Sequence, residues 1–355
     1  MDLPTVGKPI VDRLVYVLPL AADCTLEEQR AILQPILNRL KIAVENGICE
    51  KAFLPSYKTR YIEKFKIVLS SKQKILVQIG AINPERQKGG INVTMNPSRL
   101  TASQVRKFHE VMTSIIGSDY HELIKSPILN RADFAVDIDN ISIDDLLVTY
   151  QHAQRHTVFG KRIGSNGKIE GYNFGSVNSD YIQAVYDKRT ERIHAALVNV
   201  VENSRGRDEL HENSVKRFMH ARDVHEVTRI EVRAMKLHGS SPYELSTLPN
   251  RFARFRFADL TRDAGPNLSE LDRVAFLSMC RHIGVKAALA LYKRERPDVP
   301  VRAFWEAKRA GWWNPEALWI NACEALRESG IFPECAFSKP EVHNIACAPS
   351  KKKMR

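Results

Sequence analysis

The segment that most restricts the fold is residues 131–139, where every charged side chain stands at an odd-numbered position and every bulky apolar one at an even-numbered position. Successive side chains of a β-strand point to opposite faces of a sheet. One face of this segment would therefore carry Phe134, Val136 and Ile138, and the other would carry carboxylates. The pattern predicts a strand that is buried on one side only.

Strand patterns followed by a helix pattern occur twice along the chain. In the first round, a helix over about 25–46 opens with a capping box formed by Thr25 and Glu28. Pro35 predicts that this helix is kinked or divided into two shorter ones. A second capping box, formed by Thr101 and Gln104, opens the helix that closes the round, and Gly117 stands where the C-cap of this helix is expected. Between the two helices, strands are predicted at residues 61–70, 74–80 and 91–96.

In the second round, the pattern predicts a strand at 131–139, a short helix at 142–150 and a hairpin of 157–163 with 168–174. A strand at 181–187 and a helix over about 189–202 follow. An exposed connection over 203–222 then leads to a strand at 224–235. Two such rounds suggest a duplicated α+β unit, although the halves share no sequence identity that would prove a repeat. Beyond residue 265 the pattern is helical, with predicted helices at 268–292, 301–310 and 314–329. The predicted fold class is α+β, with antiparallel sheets, packed helices and a helical C-terminal region.

Composition favours a polyanionic partner. The 355 residues include 53 Lys and Arg against 41 Asp and Glu, a net charge of +12, which suits nucleic acid or an acidic membrane surface. The six cysteines show no spacing typical of a zinc site. The chain does not start with a basic region followed by an apolar core, and no window approaches the length of a membrane span. We therefore expect a cytoplasmic protein without membrane association.

Carboxylates on the polar face of the strand at 131–139 could hold a metal ion. Asp133 and Asp137 would repel each other unless a cation or several donors lay between them, and a hard divalent ion accepts such oxygen ligands. In the alternative interpretation, Asp137 and Asp139 begin a turn and cap the next helix. The metal interpretation is favoured for Asp133 and Asp137, and the turn for Asp139.

The second candidate segment surrounds the strand at 181–187. Gly175, Ser176 and Ser179 could let the backbone approach a phosphate and donate hydrogen bonds to its oxygens. Tyr186 and Lys188 share one face of the strand, so an ammonium group can stand beside the phenol. A tyrosine is a poor nucleophile unless a cation, metal or base favours its phenolate. Ordinary strand tyrosines are far commoner than nucleophilic ones, so this pattern alone does not establish catalysis.

The third candidate segment is the strand that carries Glu231 on the same face as Arg229 and Arg233. These residues could form a cross-strand ladder of salt bridges. Alternatively, Glu231 completes a metal site with the two aspartates, and the arginines contact DNA phosphates. The residues alone leave both interpretations open.

Basic and aromatic residues alternate most clearly over residues 251–257. Arg251, Arg254 and Arg256 could contact phosphates while the phenylalanines stack on unpaired bases. An amphipathic packing segment with arginines at its rim explains the pattern equally well. His152 and His156 are spaced for one helix face, but we expect them to be structural or exposed.

Taken in order, these motifs resemble the replication initiation factor family, which comprises initiators of certain rolling-circle plasmids and related proteins of filamentous phages. The resemblance covers about residues 90–260. It rests on Arg-x-Asp-x-x-x-Asp from Arg131, Gly-Ser-x-x-Ser from Gly175, Tyr-Asp-Lys from Tyr186 with Glu191 downstream, and Thr-Arg-x-Glu-x-Arg from Thr228, with an Asn-Pro element at Asn96.

The resemblance implies nicking of DNA at an origin hairpin or single strand. A tyrosine attacks the scissile phosphate, a 5′-phosphotyrosine link forms, and the released 3′-OH primes the host polymerase, with a host helicase as a further partner. It implies Tyr186 as nucleophile, Lys188 beside it, and Mg²⁺ or Mn²⁺ held by Asp133, Asp137 and Glu231. Tyr181 is the rival nucleophile, but it should face the other side of the strand.

The chain departs from the family pattern at Gln183 and Ala184, which replace the usual basic residue before the tyrosine. Two other functions stay open: a noncatalytic DNA-binding regulator, and a relaxase-like or transposase-like strand-transfer enzyme. A homodimer would suit two successive nicks. The predicted parts are an N-terminal α+β part of the catalytic region (1–120), a catalytic core (121–265), a helical region (266–337) and a basic flexible tail (338–355).

Overall fold

The computed structural model describes residues 3–22, 24–53, 60–71, 73–84, 87, 89–151, 153, 156–159, 169–176, 179–203, 208–223, 226–237 and 239–339. Its strands are β1 (Thr5–Val6), β2 (Ile10–Leu18), β3 (Cys49–Lys51), β4 (Tyr61–Val68), β5 (Lys74–Ala81), β6 (Ile91–Met95), β7 (Ile128–Asp139), β8 (Leu146–Tyr150), β9 (His156–Phe159), β10 (Gly171–Phe174), β11 (Tyr181–Asp187), β12 (Val227–Ala234) and β13 (Phe255–Asp259). Its helices are α1 (Leu26–Glu45), α2 (Ala102–Ile116), α3 (Tyr120–Leu123), α4 (Lys188–Asn203), α5 (Asp208–Asp223), α6 (Pro242–Leu245), α7 (Glu270–Ile283), α8 (Val285–Glu295), α9 (Val301–Ala307) and α10 (Pro315–Glu328).

Most of these strands form one antiparallel sheet in the order β3-β4-β5-β6-β2-β7-β12-β11-β10-β9, with β1 paired to β7. β8 and β13 pair separately as a small second sheet. The predicted α+β class with antiparallel sheets and packed helices is confirmed. Over the part of the chain that the structure describes, no helix is both long enough and apolar enough to cross a membrane.

The sheet order reads as two copies of one arrangement. In the first half, β2 lies innermost and β3 to β6 follow from the outer edge inward; in the second half, β7 lies innermost and β9 to β12 follow in the same way. β2 and β7 pair at the centre. This repeated topology supports the duplicated unit that the sequence suggested, and it joins the predicted parts 1–120 and 121–265 in one sheet.

The apolar face of the sheet carries the core. Phe134 on β7 is fully buried and meets the Trp319 ring of α10 edge to face, with ring centroids 5.6 Å apart. α1 and α2 cover the same core over the first half through residues such as Leu33 and Phe108. α7, α8 and α9 pack around a second cluster that includes Leu147 of β8. These helices leave the charged face of β7 and its neighbours open to a cleft.

Several local predictions are confirmed. Thr25 and Thr101 form complete capping boxes with Glu28 and Gln104. Gly117 ends α2 with a φ of 100°, in the left-handed region that favours glycine. The strand predicted at 181–187 is β11, with the same bounds. Local side-chain chemistry was sufficient to place these boundaries.

Other predictions were wrong. The helix predicted at 142–150 is a 3-10 turn at Ile143–Asp145 followed by strand β8, whose partner β13 lies more than a hundred residues away. The connection predicted over 203–222 contains helix α5. Pro35 does not divide α1 into two shorter helices: α1 is one element, packed on the core by a continuous apolar stripe. Gly284, with a φ of 88°, divides the helix predicted at 268–292 into α7 and α8.

β9 and β10 form the predicted hairpin pair, while its turn at 165–167 lies outside the described residues. His152, the His156 side chain and residues 340–355 of the predicted basic tail also lie outside them.

Candidate active site

The candidate site residues lie close together because β12 pairs with β7 on one side and with β11 on the other. Tyr186 pairs with Arg229, and Arg229 pairs with Asp137. One row further along the same face, Glu231 lies between Ala184 and Ala135. Residues from three separate sequence motifs therefore share one patch of the sheet.

Tyr186 and Glu231 of this patch line one end of a cleft of about 1150 Å³ across the sheet, whereas Arg229 and Asp137 do not belong to its described lining. β11 and α4 line the end that holds Tyr186, while β4, β5 and β6 line the other end. The charged or hydroxyl-bearing residues near the tyrosine are Asp133, Lys188, Thr190, Glu191, Glu231 and Arg233. The cleft is large enough for part of an extended polymer.

The Tyr186 hydroxyl donates a hydrogen bond of 2.5 Å to Oε1 of Glu231. Burial and the adjacent Glu231 carboxylate both raise the pKa of Tyr186 well above its ordinary value. The phenol is therefore neutral near pH 7, and its O–H group already points at a carboxylate oxygen. In this geometry Glu231 can act as the general base that accepts the proton when the phenol oxygen attacks.

Arg229 lies directly across from Tyr186 and is buried. Its Nε and Nη2 donate to the two oxygens of Asp137 at 2.6 and 2.8 Å, and its Nη1 lies 3.7 Å from Asp12. Burial disfavours the charge of Arg229, but Asp137 outweighs burial, so the pKa of the guanidinium is raised. Arg229 is thus a fixed positive charge beside the phenol oxygen.

The other two acidic residues predicted to bind metal are also paired with arginines. Arg233 donates through Nε to Oε2 of Glu231 at 2.7 Å. Arg131 donates to both oxygens of Asp133 at 2.5 to 3.1 Å. Burial raises the pKa of Asp133, and Arg131 opposes that shift.

The carboxylates do not converge as a metal site in this arrangement. Asp133 and Asp137 stand two residues to either side of Ala135, the register partner of Glu231, and each carboxylate faces its own arginine. Among the described residues, no group of three His, Cys, Asp or Glu side chains could hold a metal ion. As arranged, these residues do not fit a bound divalent ion.

The structure separates the two candidate tyrosines. β11 pairs with β12 without a bulge, so Tyr181 faces the apolar side of the sheet, where the Arg251 guanidinium stacks 3.8 Å from its ring centroid. Tyr186 lines the cleft. Lys188 has its ammonium 5.8 Å from the Tyr186 ring centroid and forms an ion pair of 2.5 Å with Glu191. Tyr186 is therefore the tyrosine that a ligand in the cleft would meet.

The predicted phosphate-binding turn lies between β10 and β11. The Ser176 and Ser179 hydroxyls bond to each other at 3.0 Å, and neither residue belongs to the described cleft lining. Gly175 has a φ of 96°, and a Cβ there would stand 2.8 Å from the Tyr181 carbonyl oxygen. Backbone conformation and close packing therefore explain why a glycine stands at this position. Phosphate binding by the turn stays a prediction.

The basic segment at residues 251–257 lies on the other side of the sheet from the cleft. Phe252, Phe255 and Phe257 are buried, which fits the amphipathic packing interpretation. Arg256 is exposed on β13, and Arg254 is partly exposed beside it. DNA binding by Arg251, Arg254 and Arg256 stays a prediction, but it would require a surface separate from the one around Tyr186.

Sequence reasoning missed the contribution of β2. Asp12 faces Arg229 and accepts a hydrogen bond of 3.2 Å from the Asn96 amide, and Arg13 pairs in register with Asp133. Asn96 belongs to the Asn-Pro element of the resemblance, which was a usable signal. Nothing in the pattern of β2 indicated that its charged residues reach the same cleft.

Searches of family models and of curated proteins found no match to this chain. Among solved structures, the chain is similar to the rolling circle replication initiator protein from Geobacillus stearothermophilus, at 15% sequence identity and a TM-score of 0.36. The match covers 79% of this chain and 98% of that one. A likeness of this degree carries no argument about the site, so the functional conclusion rests on the residues described above.

Proposed function

We propose that the protein is a DNA nickase and strand transferase that initiates rolling-circle replication, with Tyr186 as its nucleophile. The observation that carries the proposal is the hydrogen bond from Tyr186 to Glu231 in an open cleft lined by Arg233, with the buried Arg229 as the register partner of Tyr186. A nucleophile, a proton acceptor and two fixed cations are the groups that attack on a phosphodiester requires.

In the proposed step, Oη of Tyr186 attacks the scissile phosphorus as Glu231 takes the phenol proton. The bond from phosphorus to the 3′-oxygen breaks, and that oxygen takes a proton from solvent to become a free 3′-OH. The new bond is a 5′-phosphotyrosine link. Arg229 and Arg233 would stabilise the charge that develops on the phosphate oxygens.

The replication role follows from the chemistry together with the family resemblance. A 3′-OH released next to a covalently held 5′ end can prime a polymerase, so a host helicase and polymerase are the expected partners. If the protein makes two successive nicks, a homodimer would supply one nucleophile for each. A relaxase-like or transposase-like enzyme would use the same site on a transfer origin or an element end, and the DNA substrate distinguishes these roles.

Dependence on Mg²⁺ or Mn²⁺ stays a prediction of the family resemblance. Asp133, Asp137 and Glu231 would be its ligands. The arginine pairs would have to open before these carboxylates could share an ion.

The deciding experiment incubates labelled single-stranded DNA from the protein's own replicon with the parent, Tyr186→Phe and Tyr181→Phe, with and without Mn²⁺, followed by denaturing electrophoresis. Tyr181→Phe is the matched control, because it also removes one phenol hydroxyl, but from the opposite face of the same strand. We expect a covalent protein–DNA band that only Tyr186→Phe abolishes. A parent that binds DNA but gives no band across the whole replicon would favour the noncatalytic DNA-binding regulator.

A further inference from the structure

Three arginines from three different strands surround one carboxylate in the cleft. Arg13 on β2 and Arg233 on β12 are the register partners of Asp133 on its two sides, and Arg131 precedes Asp133 by two residues on the same face of β7. Adjacent strands lie about 4.8 Å apart, and same-face neighbours along a strand lie about 6.6 Å apart. The three guanidinium groups therefore occupy one small region, here called the arginine cluster.

The arginine cluster holds more positive charge than its acids balance. Arg131 takes both oxygens of Asp133, while Arg233 shares Glu231 with the Tyr186 hydroxyl. Within the described chain, the guanidinium of Arg13 forms no ion pair. Partial burial and the charge of Arg131 lower its pKa, with a smaller contribution from Arg233, while Asp133 and Asp12 oppose the shift. Like charges held this close favour an anion between them.

A local irregularity in β2 brings Arg13 to this position. The pairing of β2 with β7 shifts register between Val11 and Arg13, and both Asp12 and Arg13 line the cleft. In a regular strand these successive side chains would point to opposite faces. Bulges often re-aim side chains beside functional sites. The same irregularity therefore places Asp12 near Arg229, and it places Arg13 in the arginine cluster.

The cleft continues past the arginine cluster, away from Tyr186. Arg99, Lys66 and Lys74 line it and are exposed, and of these Lys74 forms an ion pair of 2.7 Å with Glu50. Strands β4 and β5 carry the two lysines, on the half of the sheet that lacks the tyrosine. Tyr186 is the sole Tyr, Phe or Trp in the described lining of the cleft, and the imidazole of His194 stands on α4 at the same end, so the other half offers charge rather than stacking surfaces. This arrangement suits a phosphodiester backbone more than unpaired bases.

We propose that Arg13, Arg131 and Arg233 bind a backbone phosphate of the DNA strand adjacent to the phosphate that Tyr186 attacks, with Arg233 donating to both phosphates. The proposal rests on the proposed function and adds a phosphate subsite to it. Guanidinium groups match phosphate oxygens in paired hydrogen bonds, so three of them around one position can fix the strand. Such contacts set the position of the strand without reading its sequence.

Arg13 is the residue to change, because it can be neutralised without releasing a carboxylate from an ion pair. The experiment measures binding of fluorescein-labelled oligo-thymidine by fluorescence anisotropy over a range of NaCl concentrations, without divalent ions. The variants are Arg13→Gln, Arg13→Ala and Arg13→Lys. Arg302→Gln is the matched control, because it removes one exposed arginine charge from α9, away from the described cleft lining.

We expect both neutral variants to weaken binding about tenfold and to make the slope of log affinity against log salt shallower by about 0.7, the value for one phosphate contact on a single strand. Arg13→Lys should keep most of the slope, and Arg302→Gln should match the parent. Parent-like slopes in both neutral variants would overturn the phosphate subsite, even if the covalent band forms. If the slopes change but the parent forms no covalent band, the subsite stands and the nickase fails.

Discussion

The Arg229 guanidinium holds both carboxylate oxygens of Asp137, at 2.6 and 2.8 Å, directly across the sheet from Tyr186. In this position Asp137 fixes an arginine charge beside the phenol oxygen. The sequence predicted a different role for Asp137, that of a metal ligand. The two roles have different consequences when the carboxylate is removed, so they can be distinguished.

We predict that Asp137→Asn lowers the free energy of unfolding by about 1–3 kcal/mol, because it weakens the charge-assisted bonds to a buried arginine. The Mn²⁺ concentration for half-maximal nicking should stay close to that of the parent. Urea unfolding and a metal titration of nicking measure the two quantities. Asp263→Asn, an exposed acid outside the described cleft lining, is the control. A rise of tenfold or more in the required Mn²⁺ would instead identify Asp137 as a metal ligand.

Local chemistry made part of the fold predictable. Capping boxes at Thr25 and Thr101 and the glycine at Gly117 act through neighbours within four residues, so the sequence places those helix ends. β8 was mistaken for a helix because its partner, β13, is remote in sequence. Strand identity there depends on tertiary pairing, which the sequence pattern does not contain.

The candidate site was predictable in its members but not in its pairings. Polar alternation put Asp133 and Asp137 on one face and Arg229 with Glu231 on another strand. That Arg229 meets Asp137 depends on the register between β7 and β12. A shift of one residue in that register would have exchanged the faces. The cross-strand pair of Arg229 with Asp137 therefore became visible only in the structure, whereas Arg131–Asp133 and Arg233–Glu231 each join residues two apart on one strand.

We predict that Glu231→Gln slows formation of the covalent DNA link by about 10²- to 10⁴-fold, because the amide cannot accept the phenol proton. Single-turnover rates at saturating DNA measure this step. Glu191→Gln is the matched control, since it neutralises another acid of the same cleft that contacts Lys188 rather than Tyr186. Equal rates for Glu231→Gln and the parent would exclude Glu231 as the base.

Stability should fall steeply at alkaline pH. Burial raises the pKa of Tyr186 and of Tyr16 in the folded protein. Above about pH 10 the unfolded chain therefore loses these protons while the folded chain keeps them, and each such tyrosine removes about 1.4 kcal/mol of unfolding free energy per pH unit.

We therefore predict that Tyr186→Phe makes the decline of unfolding free energy above about pH 10 shallower by about 1.4 kcal/mol per pH unit. Tyr16→Phe should have the same effect and serves as the positive control. Urea unfolding at several alkaline pH values provides the data. Identical declines in the parent and Tyr186→Phe would mean that the phenol does not keep its proton in the folded state.

Trp319 ties the helical C-terminal region to the strand that carries Asp133 and Asp137. Its side chain is buried, and its ring packs edge to face on the Phe134 ring. It also contacts the Phe252 ring, with the two ring centroids 6.4 Å apart. Phe134 lies on β7 directly beside Asp133, with its side chain on the opposite face. The packing of α10 should therefore stabilise the strand that forms the floor of the cleft.

We predict that Trp319→Ala lowers the free energy of unfolding by about 3–5 kcal/mol, the usual loss for a large buried aromatic residue. Ile320→Ala is the matched control, because the neighbouring side chain is 67% exposed and its loss should change stability by less than about 0.5 kcal/mol. Urea unfolding followed by circular dichroism measures both without relying on tryptophan fluorescence. Equal stabilities of the two variants would mean that α10 folds independently of the sheet, and the cleft would then not depend on the C-terminal helices.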